Sequence, residues 1–449
     1  MRFPALVFAG LAGFAAAQLT ETVGPTTSHS AKRTTICSVL SYGGAVGSSD
    51  IGPAILSAFN NCVLKNSGST LYVPPGNYNM QTWVTLSGGT KWAFQLDGWI
   101  TRTSTTSGHM IAITNANDFE FYSSTSAGGI QGNGYQCRNA GPRLIRIITS
   151  TSFSVHDLVL VDSPEFHLII DTGSRGNIYN MAIRGADIGG SDGIDVWGDN
   201  IWVHDVEVTN RDECVTVKSP ASNILVQQIW CNQSGGSAIG SLGVGTAISN
   251  VEYQYVYTNG GNQVLMIKSN GGSGTVNNVL FDQFIAKGTA YGLYINQYWS
   301  SEAVQAGNGV ELSNIKFTNW DGNVEGTTIT VNGVTRPPVA LICADGAPCR
   351  GITLSNVNMW SQSGAGLAKC ESAYGTGLGC IHSGSSYTSY AVTTSTMTQP
   401  SGYTAPTSMA GDLSAGFTSI SPIPTPTMPA SFFPGRAPYT ALAKNGGSQ

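Results

Sequence analysis

Residues 200–210, NIWVHDVEVTN, decide the fold, because the same pattern returns on both sides of them. NIYNMAIRG begins at Asn177, NILVQQIWCN at Asn223, NVEYQYVYTN at Asn250, NVLFDQFIA at Asn278 and NIKFTNW at Asn314. Counted from Asn177 through Asn200 to Asn314, the spacings are 23, 23, 27, 28 and 36 residues. A period of about 20–50 residues denotes a solenoid, a propeller or an array. Each unit holds short runs of Val, Ile, Tyr and Thr broken by Gly, Asn and Ser, which is strand chemistry. None places apolar residues at i, i+3, i+4 and i+7, so arrays of helical repeats are excluded. A propeller blade needs about 40 residues. The shorter units suit one coil of a right-handed parallel β-helix, an all-β solenoid. The recurring Asn suits a bend, where stacked amides can bond to one another as in cross-β ladders.

Echoes of the repeat lie at Phe119 (FEFYSS), Phe153 (FSVHDLVLV) and Gly351 (GITLSNVNMW). A solenoid has open ends that need caps. Residues 50–65, DIGPAILSAFNNCVLK, form the best helical stretch of the chain and are read as a short N-terminal capping helix. Residues 1–17 read as a signal peptide: Arg2, an apolar run over 3–14, then Ala15, Ala16 and Ala17 before Gln18. Lys32-Arg33 is a candidate second processing site. The expected organisation is therefore 1–17 signal peptide, 18–382 β-helix catalytic domain, and 383–449 a Ser/Thr/Pro-rich tail packed on or extending from the helix. The leader implies a secreted, extracellular product. No stretch beyond it has the 18 uninterrupted apolar residues of a membrane span. The chain is expected to be a monomer.

Cysteines of an exported chain are expected in disulfides. Proximity in sequence pairs Cys37 with Cys62, Cys214 with Cys231, Cys343 with Cys349 and Cys370 with Cys380, and leaves Cys137 over. The sole N-x-[ST] sequon, at Asn232, is expected to carry a glycan at an exposed coil corner. Only 10% of residues are charged and the net charge is −5, so no basic nucleic-acid surface is present. Mild overall acidity does not prevent a local groove from taking an anionic polymer.

Aligning the second strand of each coil sets 194–198 (IDVWG) beside 215–219 (VTVKS), 237–241 (SAIGS) and 265–269 (LMIKS). Asp192 then stands over Glu213, about one strand spacing (~4.8 Å) away, with Asp212 adjacent. Three carboxylates this close cannot all ionise cheaply, so at least one is expected to hold its proton. Glycosidases use that condition: one carboxyl stays protonated as acid while another is ionised as base. A calcium site or a solvated acidic loop is the competing reading. Strand alternation puts Asp195, Thr216, Ala238 and Met266 in one outward column, and Trp197, Lys218, Gly240 and Lys268 in the next. Lysines beside acids suit a uronate polymer, with Trp197 offering an apolar face. For Lys218 alone, ordinary solvated surface is the simpler reading.

At these residues the chain resembles the polygalacturonase family of pectin hydrolases, within it the fungal rhamnogalacturonan hydrolases. GGSDGIDVWG stands at the family's Asn-Thr-Asp motif, NRDECVTVKS at Asp-Asp, SGGSAIGSLG at Gly-His-Gly and MIKSNGGSGTVNNV at Arg-Ile-Lys. Glu213 replaces the second aspartate, Gly235 the histidine and Met266 the arginine, while Lys268 is kept. The resemblance runs from about Cys37 to the PYTALA segment ending at Ala443. It implies endo-acting, inverting hydrolysis of the α-1,2 linkage between galacturonic acid and rhamnose in rhamnogalacturonan I, a plant cell-wall polysaccharide. It implies Asp212 as the acid, with Asp192 and Glu213 holding the attacking water. Asp195, Trp197, Lys218, Gly235, Met266 and Lys268 are expected to meet the sugar. A methionine where the family has arginine fits a rhamnose that carries no carboxylate. Carboxylates one coil apart would by separation alone suggest retention; the resemblance implies inversion.

Alternatives are a polygalacturonase or exo-acting pectin hydrolase of the same fold, a pectate or rhamnogalacturonan lyase, and a non-catalytic glycan-binding solenoid. A pectate lyase needs calcium and an arginine base, and the aligned columns hold no arginine. GGSDG at 189–193 matches G-x-S-x-G, but no helix follows it, as a nucleophile elbow requires. The histidines show no zinc spacing. No metal and no cofactor are expected.

Overall fold

A computed structural model describes residues 19–325, 337–362 and 366–443, with the short strand pair Thr330–Val331 and Val334–Thr335. The expected leader lies outside the described residues. Strand Ile194–Thr209 pairs in parallel with Leu168–Arg184 on one side and Val215–Asn232 on the other. The same parallel stacking continues through Thr246–Asn259, Gly274–Thr289, Glu311–Val324 and Cys349–Ser361. The architecture is a parallel β-helix.

The long strands turn corners. Within Ile194–Thr209 the corners are Asn200 and Asp205, both at positive φ (51° and 54°). Asn and Asp tolerate this left-handed geometry best among residues with a Cβ. The register stacks such residues into two columns. The first passes through Asp118, Ser152, Arg175, Asn200, Asn223, Asn250, Asn278 and Asn314, ending at Gly351. Asn278 Nδ2 donates to Asn250 Oδ1 at 2.8 Å, and Asn250 Nδ2 to Asn223 Oδ1 at 3.1 Å, so the expected amide ladder forms. One coil boundary is corrected. Asn177 pairs with Trp202 rather than standing beside Asn200, and Arg175 occupies the corner. The ladder, not the residue type, sets which position bends.

Alternate side chains fill the bore. Trp92, Phe119 and Phe153 stack at 5.4 and 5.5 Å, and Phe284 lies on Trp320 at 4.3 Å, close to one strand spacing. Helix α1, Gly52–Asn61, closes the N-terminal end. It buries Ile55, Ala58 and Phe59, and Phe59 meets the edge of Trp92. It is shorter than the sequence pattern because Cys62 leaves helical geometry where it bonds Cys37. The other bridges are Cys214–Cys231, Cys343–Cys349 and Cys370–Cys380, with Cys137 free. Among the described residues no helix is long and apolar enough to cross a membrane.

The first and last described segments lie along the corner columns. Thr20 N and Glu21 N donate to Asn200 Oδ1, and Thr26 N and Thr27 N donate to Asp118 Oδ1. Lys32 follows, fully buried against Asp118 and Glu120. Of the Lys32-Arg33 pair, Lys32 is buried in the folded chain and Arg33 is exposed. After Cys380 the tail first adds an antiparallel strand, Thr393–Met397, at the far end. It then runs back along the solenoid, burying Ile423, Phe432 and Phe433. Its last described residues bind the second corner column. Gln228 Nε2 donates to Ala437 O, Tyr439 N to Asp205 Oδ2, Asn180 Nδ2 to Ala441 O and Ala443 N to Asp157 Oδ1.

The tail corrects the expectation for Asn232. This side chain is wholly buried: Nδ2 donates to Gly411 O at 3.0 Å, and Oδ1 accepts from Leu413 N at 2.9 Å and Asn259 Nδ2 at 3.1 Å. The nitrogen that would bear a glycan already holds the tail in place. Protein secreted from a fungal host is expected to show no mass loss at Asn232 on enzymatic deglycosylation. Asn232→Ala should lower stability by about 1–3 kcal/mol, because it strands buried partners. Intact mass and melting curves check the two outcomes, and an occupied Asn232 in folded protein would refute this docking of the tail.

Candidate active site

The aligned register is present. Ile194 pairs with Val215, and the column Asp195, Thr216, Ala238, Met266 is continuous. It stacks Asp192 on Glu213, with Asp212 beside them, and ligand oxygens of the three lie within 4.8 Å of one another. Backbone bonds tie the two loops that carry them to each other and to the next loop. Gly193 N donates to Glu213 O, Cys214 N to Gly236 O and Gly235 N to Asp212 O, at 2.8–2.9 Å. Asn210 joins the same loops: its Nδ2 reaches Ser191 O and Glu213 O, and its Oδ1 accepts from Ser234 at 2.5 Å. His167, fully buried, donates its backbone N–H to Asp192 O. Neither Asn210 nor His167 stood out in the sequence. A helix or strand period cannot reveal a residue that works by bridging loops.

Four expected sugar contacts are placed differently. Asp195 is 0% exposed and belongs to the acid cluster, with Lys218 Nζ 3.5 Å away. Met266 is 1% exposed, covered within its column. Gly235 is buried, and a Cβ there would stand 2.2 Å from Asp212 O. A side chain at this position would collide with the loop that holds the acid, so glycine serves close approach rather than sugar contact. Lys218 does not align beneath Trp197. The register slips after Val196 and Val217, so residues 218–220 form a bulge. From that bulge Lys218 Nζ also comes within 3.8 Å of Asp192. Lys268 forms an ion pair with Glu213. Trp197 remains partly exposed at the rim.

Charge is distributed unevenly. Burial, then the hydrogen bond and charge of Glu213, push Asp212 up to about 7, although Gly190 N donates to its Oδ2 at 2.5 Å. Burial alone would raise Glu213 too, but the Asp212 hydrogen bond and the Lys218 and Lys268 charges hold it well below the carboxylate range. Asp192 is pushed up by burial and then by Asp195, Glu213 and Asp212. Asp195 reaches about 6, through burial opposed by Lys218. The site thus sets a proton-holding carboxyl against an ionised one, the division of labour that acid–base hydrolysis needs. The same trio has the spacing of a cation ligand set, but Lys218 and Lys268 already supply counter-charge to it.

The family model for glycosyl hydrolases family 28 matches residues 69–380. Rhamnogalacturonase A of Aspergillus aculeatus is 53% identical over 444 residues, spanning 98% of each chain. Rhamnogalacturonase B of Aspergillus niger is 52% identical over 452 residues, covering 99% of this chain and 79% of that one. Among solved structures, endo-xylogalacturonan hydrolase from Aspergillus tubingensis shares the fold at TM-score 0.64 and 21% identity, covering 73% of this chain and 94% of its own. Polygalacturonase from Erwinia carotovora ssp. carotovora does so at 0.54 and 18%, covering 76% and 99%. Matched over most of its length, and carrying the acid cluster on its parallel β-helix, the chain belongs to glycosyl hydrolase family 28.

Proposed function

We propose that this protein is a secreted rhamnogalacturonan hydrolase, cutting the α-1,2 bond between galacturonic acid and rhamnose inside the rhamnogalacturonan I backbone. The single observation that carries the chemistry is the meeting of Asp192, Asp212 and Glu213 within 4.8 Å, which pushes Asp212 up while its neighbours hold Glu213 down. The near full-length likeness to rhamnogalacturonases supports the substrate. Asp212 protonates the glycosidic oxygen as the bond breaks. Glu213 and Asp192 hold a water against the anomeric carbon and take its proton. Trp197 lines the rim of the sugar groove. The enzyme works as a monomer outside the cell after loss of residues 1–17, without metal or cofactor.

The short separation of the acids taken alone suggests retention. The family likeness supports inversion instead, with the water attacking the anomeric carbon from the face opposite the leaving oxygen. Purified rhamnogalacturonan and homogalacturonan digested side by side decide the substrate. Cleavage is expected on the first alone, and proton NMR of the earliest products is expected to show the inverted anomer. Comparable turnover of homogalacturonan, or an unsaturated product absorbing in the ultraviolet, would refute the reading.

Acid catalysis by Asp212 sets the sign of the pH dependence. The carboxyl is competent while protonated, so the rate should fall as pH rises through about 7. Asp212→Asn keeps the shape but removes the transferable proton, and should lower the rate by about 10²- to 10⁴-fold. Glu213→Gln should be equally severe. Rates on rhamnogalacturonan across pH, with matched melting curves, check this; near wild-type turnover by folded Asp212→Asn would assign the acid elsewhere.

A further inference from the structure

We infer that Lys218 is a positioning residue for the reaction proposed above: held on its bulge, its ammonium keeps one negative charge on the Asp192–Asp195 pair and so leaves Asp212 as the site's proton donor. The inference rests on the hydrolase reading for its catalytic half. Four carboxylates, Asp192, Asp195, Asp212 and Glu213, meet two ammoniums, Lys218 and Lys268. Lys268 sits on Glu213, while Lys218 faces Asp195 and Asp192 at 3.5 and 3.8 Å. Asp212 lies within 4.0 Å of neither ammonium. Asp195 has no exposed surface, and its oxygens face only Lys218 and the neighbouring Asp192 carboxyl. A buried carboxylate of that kind stays ionised only beside an opposite charge. Among the described residues Lys218 is the one cation in ion-pair range of it.

The other neighbours cannot replace it. His167, from the preceding coil, turns Nδ1 to the Asp192 carbonyl, and burial takes its imidazole down to about 4, so it is neutral. Tyr253, from beneath, spends its hydroxyl on the Val215 and Ala238 carbonyls. Asp212 and Glu213 add charge of the wrong sign. Two ammoniums therefore support two carboxylates: Glu213, and one charge on the Asp192–Asp195 pair. Protons remain on Asp212 and between Asp192 and Asp195. Lys218 is on this account turned inward to the acids. A lysine holding a uronate of the polymer, the role its type first suggests, would stand free of them.

The test compares Lys218→Met and Lys218→Arg with wild type. Removing the ammonium should raise the acid pair by about 1–3 pH units. In Lys218→Met, kcat should fall on the order of 10²-fold or more, the loss of a positioned base. KM should stay near wild type, and the acid limb of the kcat profile should move up by that shift. Lys218→Arg should restore most of the rate and the limb. A raised KM with kcat and limb unchanged, abolished by salt, would make Lys218 a polymer contact and overturn the inference. Melting temperature against pH needs no substrate. A carboxyl titrating higher in the folded than in the unfolded chain costs stability as pH rises from about 4 through its folded value. The gap between Lys218→Met and wild type should be small near pH 4 and widen toward pH 7. A gap independent of pH would also overturn it. Should wild type cut no rhamnogalacturonan, the hydrolase reading fails, and the melting series still decides whether Lys218 holds the charge.

Discussion

Parallel stacking of one coil on the next, about 4.8 Å apart, is the constraint from which the rest of this molecule follows. Each coil must return to the same corner, and it does so through a residue at positive φ, Asn200 in one coil and Asn223 in the next. The strict register then leaves a loop residue no choice of neighbour. Asp192 faces Glu213 because Ile194 faces Val215 two positions on. A cluster of acids that would fly apart on a mobile loop is held by backbone bonds on both sides.

That enforced closeness is electrostatically costly, and the site answers it in three ways. Lysines stand beside Glu213 and the Asp192–Asp195 pair. Asp212 keeps a proton. Glycines at 193 and 235 let backbone from a neighbouring coil approach where a Cβ would be 2.5 Å or less from a carbonyl oxygen. Each answer also prepares chemistry. A preformed charge pattern requires little rearrangement when the glycosidic bond begins to break.

The same corner columns organise the chain ends. Side chains at a left-handed bend project from the solenoid, where Asn200, Asp118, Asp205 and Asp157 accept hydrogen bonds from terminal backbone. A Ser/Thr/Pro-rich tail has little capacity to order itself. Here it is ordered by what it lies on, and Phe432 and Phe433 add buried apolar surface. Repeat proteins need their ends covered. This one closes its first coil with α1 and lays its first and last described segments along its flank.

The sequence by itself determined the solenoid, the column Asp195, Thr216, Ala238 and Met266, and the meeting of Asp192, Asp212 and Glu213. Period and alternation are one-dimensional signals, and a parallel ladder converts them directly into contacts. The four disulfides were legible for the same reason: their partners lie near in sequence. Tertiary structure decided the rest. Only the paired ladder shows that Arg175 and not Asn177 turns the corner. A three-residue bulge, invisible to alternation, turns Lys218 from the groove to the acids. Asp195 alternates outward yet is buried, with Lys218 of the next coil against it. Asn232 carries a sequon but lies under Gly411 and Leu413, 179 and 181 residues further along the chain. Exposure depends on what finally packs above a residue, and no local pattern carries that information.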